Sequence, residues 1–108
     1  MMEPSKKDWK LYREKISGWQ EDYMERLLGQ YTEFLSSDLP ASTKFWELEK
    51  RVKRDKKTPG VCISLSKSNM MWDIVSLILD GAISFDDLEE FSDDLKEDVK
   101  FMLEINKK

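Results

Sequence analysis

An all-α, bundle-like fold of four or five helices, a long N-terminal helix packed on a central apolar one, is predicted by three features of this chain. Residues 70–79 (MMWDIVSLIL) carry apolar side chains on nearly every face, which marks a buried helix rather than a surface one. Apolar residues recur every three or four positions from Trp9 to Phe34, the spacing that keeps side chains on one helix face. Helix start and stop signals (Ser5, Ser42 or Thr43, Ser84, Gly81) punctuate the sequence around these two stretches.

The first helix opens at Ser5, a capping residue with Asp8 three positions on. Its stripe is Trp9, Tyr12, Ile16, Trp19, Tyr23, Leu27, Tyr31 and Phe34, widened in the second half by Met24, Leu28 and Leu35. Ser17-Gly18 is the obvious place for a break, yet the stripe keeps its phase from Ile16 to Trp19 to Tyr23. A turn between two helices has no reason to preserve phase, so one helix of about 30 residues, roughly 45 Å long, is expected. A helix of that length needs a partner along it, either its own chain or a second copy.

Residues 36–43 (SSDLPAST) read as a loop. A second helix then runs to about Lys56, with Phe45, Leu48 and Val52 as its buried stripe and Trp46 at the margin. Residues 61–65 (VCISL) fit a short strand on pattern alone, while Thr58-Pro59 fits a helical start equally well. Ser66 or Ser68 opens the central helix, which stops at Asp80 with Gly81 as a left-handed residue. Ser84 caps the last helix, Asp86 and Asp87 occupy its positive first turn, and Ile83 can staple to Leu88. Leu88, Phe91, Leu95, Val99 and Met102 form its apolar face, and Ser92 offers a point at which it kinks and restarts.

Composition restricts the chemistry. The 108 residues suit one domain with a modest core, and 37% charged against 40% hydrophobic content places the chain outside both disordered and membrane classes. No apolar run approaches the ~18 residues of a membrane span, and MMEPSKKDWK lacks the apolar centre of a signal peptide. A cytoplasmic location is expected. The chain has no histidine and one cysteine, which removes His-dependent general bases, Ser-His-Asp and Cys-His arrangements and the usual zinc sites. Cys62 lies between Val61 and Ile63, reads as buried filler, and has no partner for a disulfide. No catalytic residue, cofactor or metal is expected.

Two charged stretches stand out against the net charge of −4. Residues 44–57 hold seven basic and three acidic residues, and residues 86–98 hold eight acidic residues against Lys96. Lys50, Arg51, Lys53, Arg54, Lys56 and Lys57 form a candidate basic patch that could contact phosphates, with Trp46 near enough to stack on a base. The acidic chain and the lack of a phosphate-binding loop favour a solvated helix face instead, or a face that meets residues 86–98 within or between subunits. The acidic run has a structural explanation in the first turn of a helix. Residues 80–91 (DGAISFDDLEEF) imitate the second half of a calcium-binding loop. Its first and third ligand positions would fall at Ser76 and Ile78, inside the apolar helix, so the match fails where the ion would bind. Trp9, Tyr12, Trp19, Tyr23 and Tyr31 share one stripe and are candidates either for the core or for a subunit interface, where aromatics are enriched.

The strings FWELEKRVKRDKKTPGV and SKSNMMWDIVSLILDGAISFDDLEEFSDDLKE resemble a group of small uncharacterised proteins of Gram-positive bacteria. The resemblance, over about residues 9 to 102, implies a bacterial cytosolic helical protein and transfers no catalytic residue. The reading from the residues is a non-enzymatic protein–protein interaction module, a homodimer through the N-terminal helix. The alternative is a nucleic-acid-binding regulator acting through the basic helix.

Overall fold

The computed structural model describes residues 4–106. Among them the fold is all-α, with four helices and no strand: α1 (Lys6–Leu35), α2 (Ala41–Asp55), α3 (Met70–Leu79) and α4 (Asp93–Ile105). No helix among them is long and apolar enough to cross a membrane.

α1 is one unbroken helix of 30 residues, running straight through Ser17-Gly18 as the constant phase of its stripe requires. Ser5 caps it in an extended conformation, its Oγ accepting from the Asp8 N–H at 3.1 Å. The Asp8 carboxylate does not complete a local capping box. It accepts from the Ser92 N–H at 3.0 Å and from the Ser92 hydroxyl at 2.6 Å, and so ties the start of α1 to the start of α4.

That tie explains a departure from the expected last helix. Ser84 does open a helical turn, as expected, with a capping box to Asp87, but the turn is a short 3-10 segment, Phe85–Leu88. The chain restarts at Ser92, whose hydroxyl caps α4 by accepting from the Leu95 N–H at 3.2 Å. With its N–H and hydroxyl both held by a carboxylate from the far end of the sequence, Ser92 stays in the extended cap conformation and cannot join a continuous helix. Ile83 and Leu88, the expected staple, are both buried in the core.

α3 ends as its sequence demands. Gly81 is the one residue described with positive φ (+79°), the Ala82 N–H reaches back to the Leu77 carbonyl at 2.8 Å, and the Gly81 N–H reaches Ile78 at 3.0 Å. This pair of bonds is a Schellman cap. The Arg26 guanidinium of α1 donates to the Gly81 and Ala82 carbonyls, at 3.0 and 2.8 Å, and fixes the corner against α1.

The core lies between the first half of α1, α3 and α4, with Tyr12, Ile16, Met70, Ile74, Leu77, Leu88, Leu95 and Val99 at its centre. No residue of α2 belongs to it. Residues 61–65 are neither helix nor strand: the Val61 and Cys62 N–H groups close a turn on the Thr58 carbonyl at 3.0 and 2.9 Å, and residues 63–65 form an irregular link. Ile63 packs on the core, while Cys62 is exposed rather than buried because the link runs over the surface. With α2 set apart, the molecule is long: 51 Å in its largest dimension, with a radius of gyration of 16.4 Å where a compact chain of this size has about 13 Å.

Candidate interaction surface

The second half of α1 and all of α2 form a two-helix arm. The loop at residues 36–40 turns the chain back, and four contacts set α2 and the turn after it along α1. The Tyr31 hydroxyl donates to Asp55 Oδ2 at 2.5 Å. The Arg51 guanidinium lies 4.1 Å from the centroid of the Phe34 ring, a cation–π contact. Gln20 Nε2 donates to the Pro59 carbonyl at 2.9 Å, and Gly60 lies so close to the Tyr23 ring that a Cβ there would sit 2.3 Å from it.

Asp55 is the anchor of this arm. It is the only buried residue of α2, and it also receives the Arg54 guanidinium at 2.9 and 3.3 Å. The Arg54 bond, reinforced by the Tyr31 hydroxyl, holds the Asp55 carboxyl below the usual carboxylate range. Burial, together with the bond to that carboxylate, pushes the Tyr31 hydroxyl up to about 12. Asp55 therefore stays ionised and Tyr31 protonated at neutral pH, the pairing that their hydrogen bond requires.

The apolar face of α2 departs from expectation. Phe45 and Trp46 are 64% and 63% exposed, and Val52 is exposed as well. The three-to-four spacing of the α2 stripe holds, but α1 covers little of it: Arg51 lies over Phe34, in the last turn of α1, while Phe45 and Trp46, nearer the loop, stay open. The two aromatics pack on each other instead, edge to face at 5.1 Å. On α1, Leu28 is 61% exposed and Leu35 is exposed too, as is Leu39 in the loop. Leu28 and Val52 line one cavity of about 220 Å³ with Met24, Tyr31, Lys56 and Val61. Leu35 lies seven residues after Leu28, and Phe45 seven before Val52, so each helix carries the apolar strip two turns further along the same flank.

The expected interface aromatics lie elsewhere. Tyr12 is fully buried against α3 and α4 and offers nothing to a second copy. Trp9, Trp19 and Tyr23 are half-buried and pack on the core, with the Trp9 and Tyr12 rings 6.0 Å apart and the Trp19 and Phe91 rings 6.2 Å apart. Tyr31, half-buried, is engaged by Asp55. The core was within reach of α1 because α3 and α4 fold back along its first half. Leu28, Leu35, Leu39, Phe45, Trp46 and Val52 are the surface that sequence reasoning missed. The visible signal was that the α1 stripe widens after Met24, more apolar surface than a single neighbouring helix covers.

Three cations of the basic patch are paired along α2 itself: Arg51 with Glu47 at 3.0 Å, Lys53 with Glu49 at 3.7 Å, and Arg54 with Asp55. Lys50, Lys56 and Lys57 join no ion pair among the described residues. No ion pair described joins this patch to residues 86–98, whose Glu90 pairs with Lys15 of α1 at 2.5 Å. The acidic segment also borders a cavity of about 450 Å³ beside Asp8, Asp94 and Asp98. Asp8 is already satisfied there by Ser92, and no cluster of three ligating side chains is found among the described residues. Comparison with protein-family models, with curated proteins and with solved structures returns no match.

Proposed function

We propose that this chain is a non-catalytic protein-interaction module that docks a polypeptide on the flank of its α1–α2 arm. The observation that carries the reading is the concentration of exposed large apolar side chains there. Six of them (Leu28, Leu35, Leu39, Phe45, Trp46, Val52) sit on one two-helix element, whereas the rest of the surface has smaller groups such as Trp72 with Leu79 and Phe101 with Ile105. Large exposed apolar patches mark interaction sites on folded proteins, and a strip along two antiparallel helices suits the apolar face of further helices. The absence of histidine and the single cysteine support the non-catalytic half of the reading.

A photo-crosslinking amino acid placed at Phe45 in living cells tests it, with the same group at Phe101, itself 66% exposed, as the control. A discrete adduct to a polypeptide from position 45 and none from position 101 is expected. No adduct from position 45, or equal labelling from both, removes the arm as the docking surface.

A further inference from the structure

The occupant of the arm follows from its charges. We propose that two copies of this chain pair arm to arm about a two-fold axis running along the hairpin, so that α1 of each copy lies over α2 of the other and four helices close a small bundle. This rests on the docking reading above and names its partner.

The apolar strip has two rims of opposite sign. On α1, Glu21 and Glu25 stand seven and three residues before Leu28, on its side of the helix, and both are exposed. On α2, Lys56 lines the cavity beside Val52 and joins no ion pair among the described residues, while Lys53, three residues before Lys56, is paired with Glu49. A two-fold axis along the hairpin sets the acidic rim of one copy beside the basic rim of the other, and does so twice. An axis across the hairpin sets α1 over α1 and brings like rims together, which complementarity disfavours. Because α1 and α2 are antiparallel within the chain, the chosen axis also makes every helix antiparallel to its neighbours, as in up-and-down bundles, with opposed dipoles. The bundle covers Phe45 and Leu28, 64% and 61% exposed in the single chain.

Sedimentation equilibrium on the full chain tests this, with circular dichroism confirming that each variant keeps its helices. The wild type is expected at twice the 12.8 kDa chain mass. Phe45→Lys, at an exposed position that leaves the monomer fold intact, should raise the dimer Kd roughly 30-fold or more, as the loss of a buried aromatic anchor does. Reversing one rim, E21K with E25K or K56E, should weaken the dimer roughly 3- to 10-fold, and combining the two reversals should restore it. A monomer at ~100 µM overturns the inference, as does a dimer indifferent to Phe45→Lys or a combined reversal no better than either alone. The docking reading fails separately. If the chain is monomeric but position 45 still crosslinks another protein in cells, the arm binds a different partner. If it crosslinks nothing, both readings fall.

Discussion

Asp8 and Ser92 show how much one pair of side chains can fix. Asp8 is 3% exposed, and its carboxylate satisfies a backbone N–H and a hydroxyl at the start of another helix. Asp8→Ala leaves that N–H without its partner and should cost about 2 kcal/mol of stability, the usual penalty for orphaning a donor bound to a charged group. Ser92→Ala loses the same contact plus the α4 cap, about 1–2 kcal/mol. Since both remove one shared bond, the double variant should cost clearly less than the sum in a urea-denaturation cycle. Additive costs would mean that the two residues act independently. Tyr12 and Asp73 are the converse case. The Tyr12 hydroxyl and Asp73 Oδ2 are buried without a protein hydrogen bond. Burial, with the Asp73 charge nearby, holds the phenol well above its ordinary value, and burial alone raises the Asp73 carboxyl. An acid whose folded value is raised contributes stability at low pH that is lost as pH rises through that value. Asp73→Asn should therefore stabilise the fold at pH 7, by less than ~1 kcal/mol because water still screens part of the group. The gain should vanish in acid, where the wild-type carboxyl is already protonated. A gain that persists below pH 3 would contradict the burial account.

At the scale of elements, α1 depends on a helical conformation through both of its glycines. Nothing lies within 4 Å of a Cβ built at Gly18 or Gly29, so Ala at either should add about 0.5–1 kcal/mol by removing unfolded-state freedom. Were the helix broken at Gly18 by a left-handed residue, Ala would instead destabilise, so the sign of the change in a denaturation curve decides the matter. The unbroken helix was legible in the sequence because phase across Ser17-Gly18 is a local property of residues 9–34. The Gly81 cap was legible for the same reason. The 3-10 turn and the restart at Ser92 were only half legible: Ser92 could be seen as a capping residue, but the carboxylate that holds it comes from Asp8. The α2 stripe failed differently. Periodicity states which residues share a face and says nothing of whether a neighbour exists to cover it, so Phe45 and Val52 read as buried although the fold leaves both exposed. The candidate site shows the same limit: Tyr12, open on spacing alone to either core or interface, is core, while Phe45, expected on a buried stripe, is surface.

For the molecule as a whole, the division into a body and an arm sets where stability resides. The body holds every member of the core cluster, whereas α2 is attached through Tyr31–Asp55, Arg51–Phe34 and the close contact of Gly60 with Tyr23. Regions with few buried apolar contacts open locally at lower free energy than the core. The amides of α2 should therefore exchange hydrogen faster than those of α3 and α4, and Tyr31→Phe, which deletes the bond to Asp55, should accelerate α2 while leaving α3 unchanged. Acid should act in the same place. The Asp55 carboxyl is held low, chiefly by Arg54 and also by Tyr31, so its contribution is present above the ordinary carboxylate value near 3.8 and is lost as pH falls through the depressed folded value. Exchange measured across that window should show the arm loosening before the body. A second copy seated on the arm would change this order in a way that depends on concentration, because binding to the folded form alone stabilises it by mass action. At protein concentrations well above the dimer Kd, α2 and the last turns of α1 should become protected together, while α3 and α4 stay as they were. Equal protection of α2 at low and high concentration would mean that the arm closes on its own chain, and that its apolar flank needs no partner to hold it.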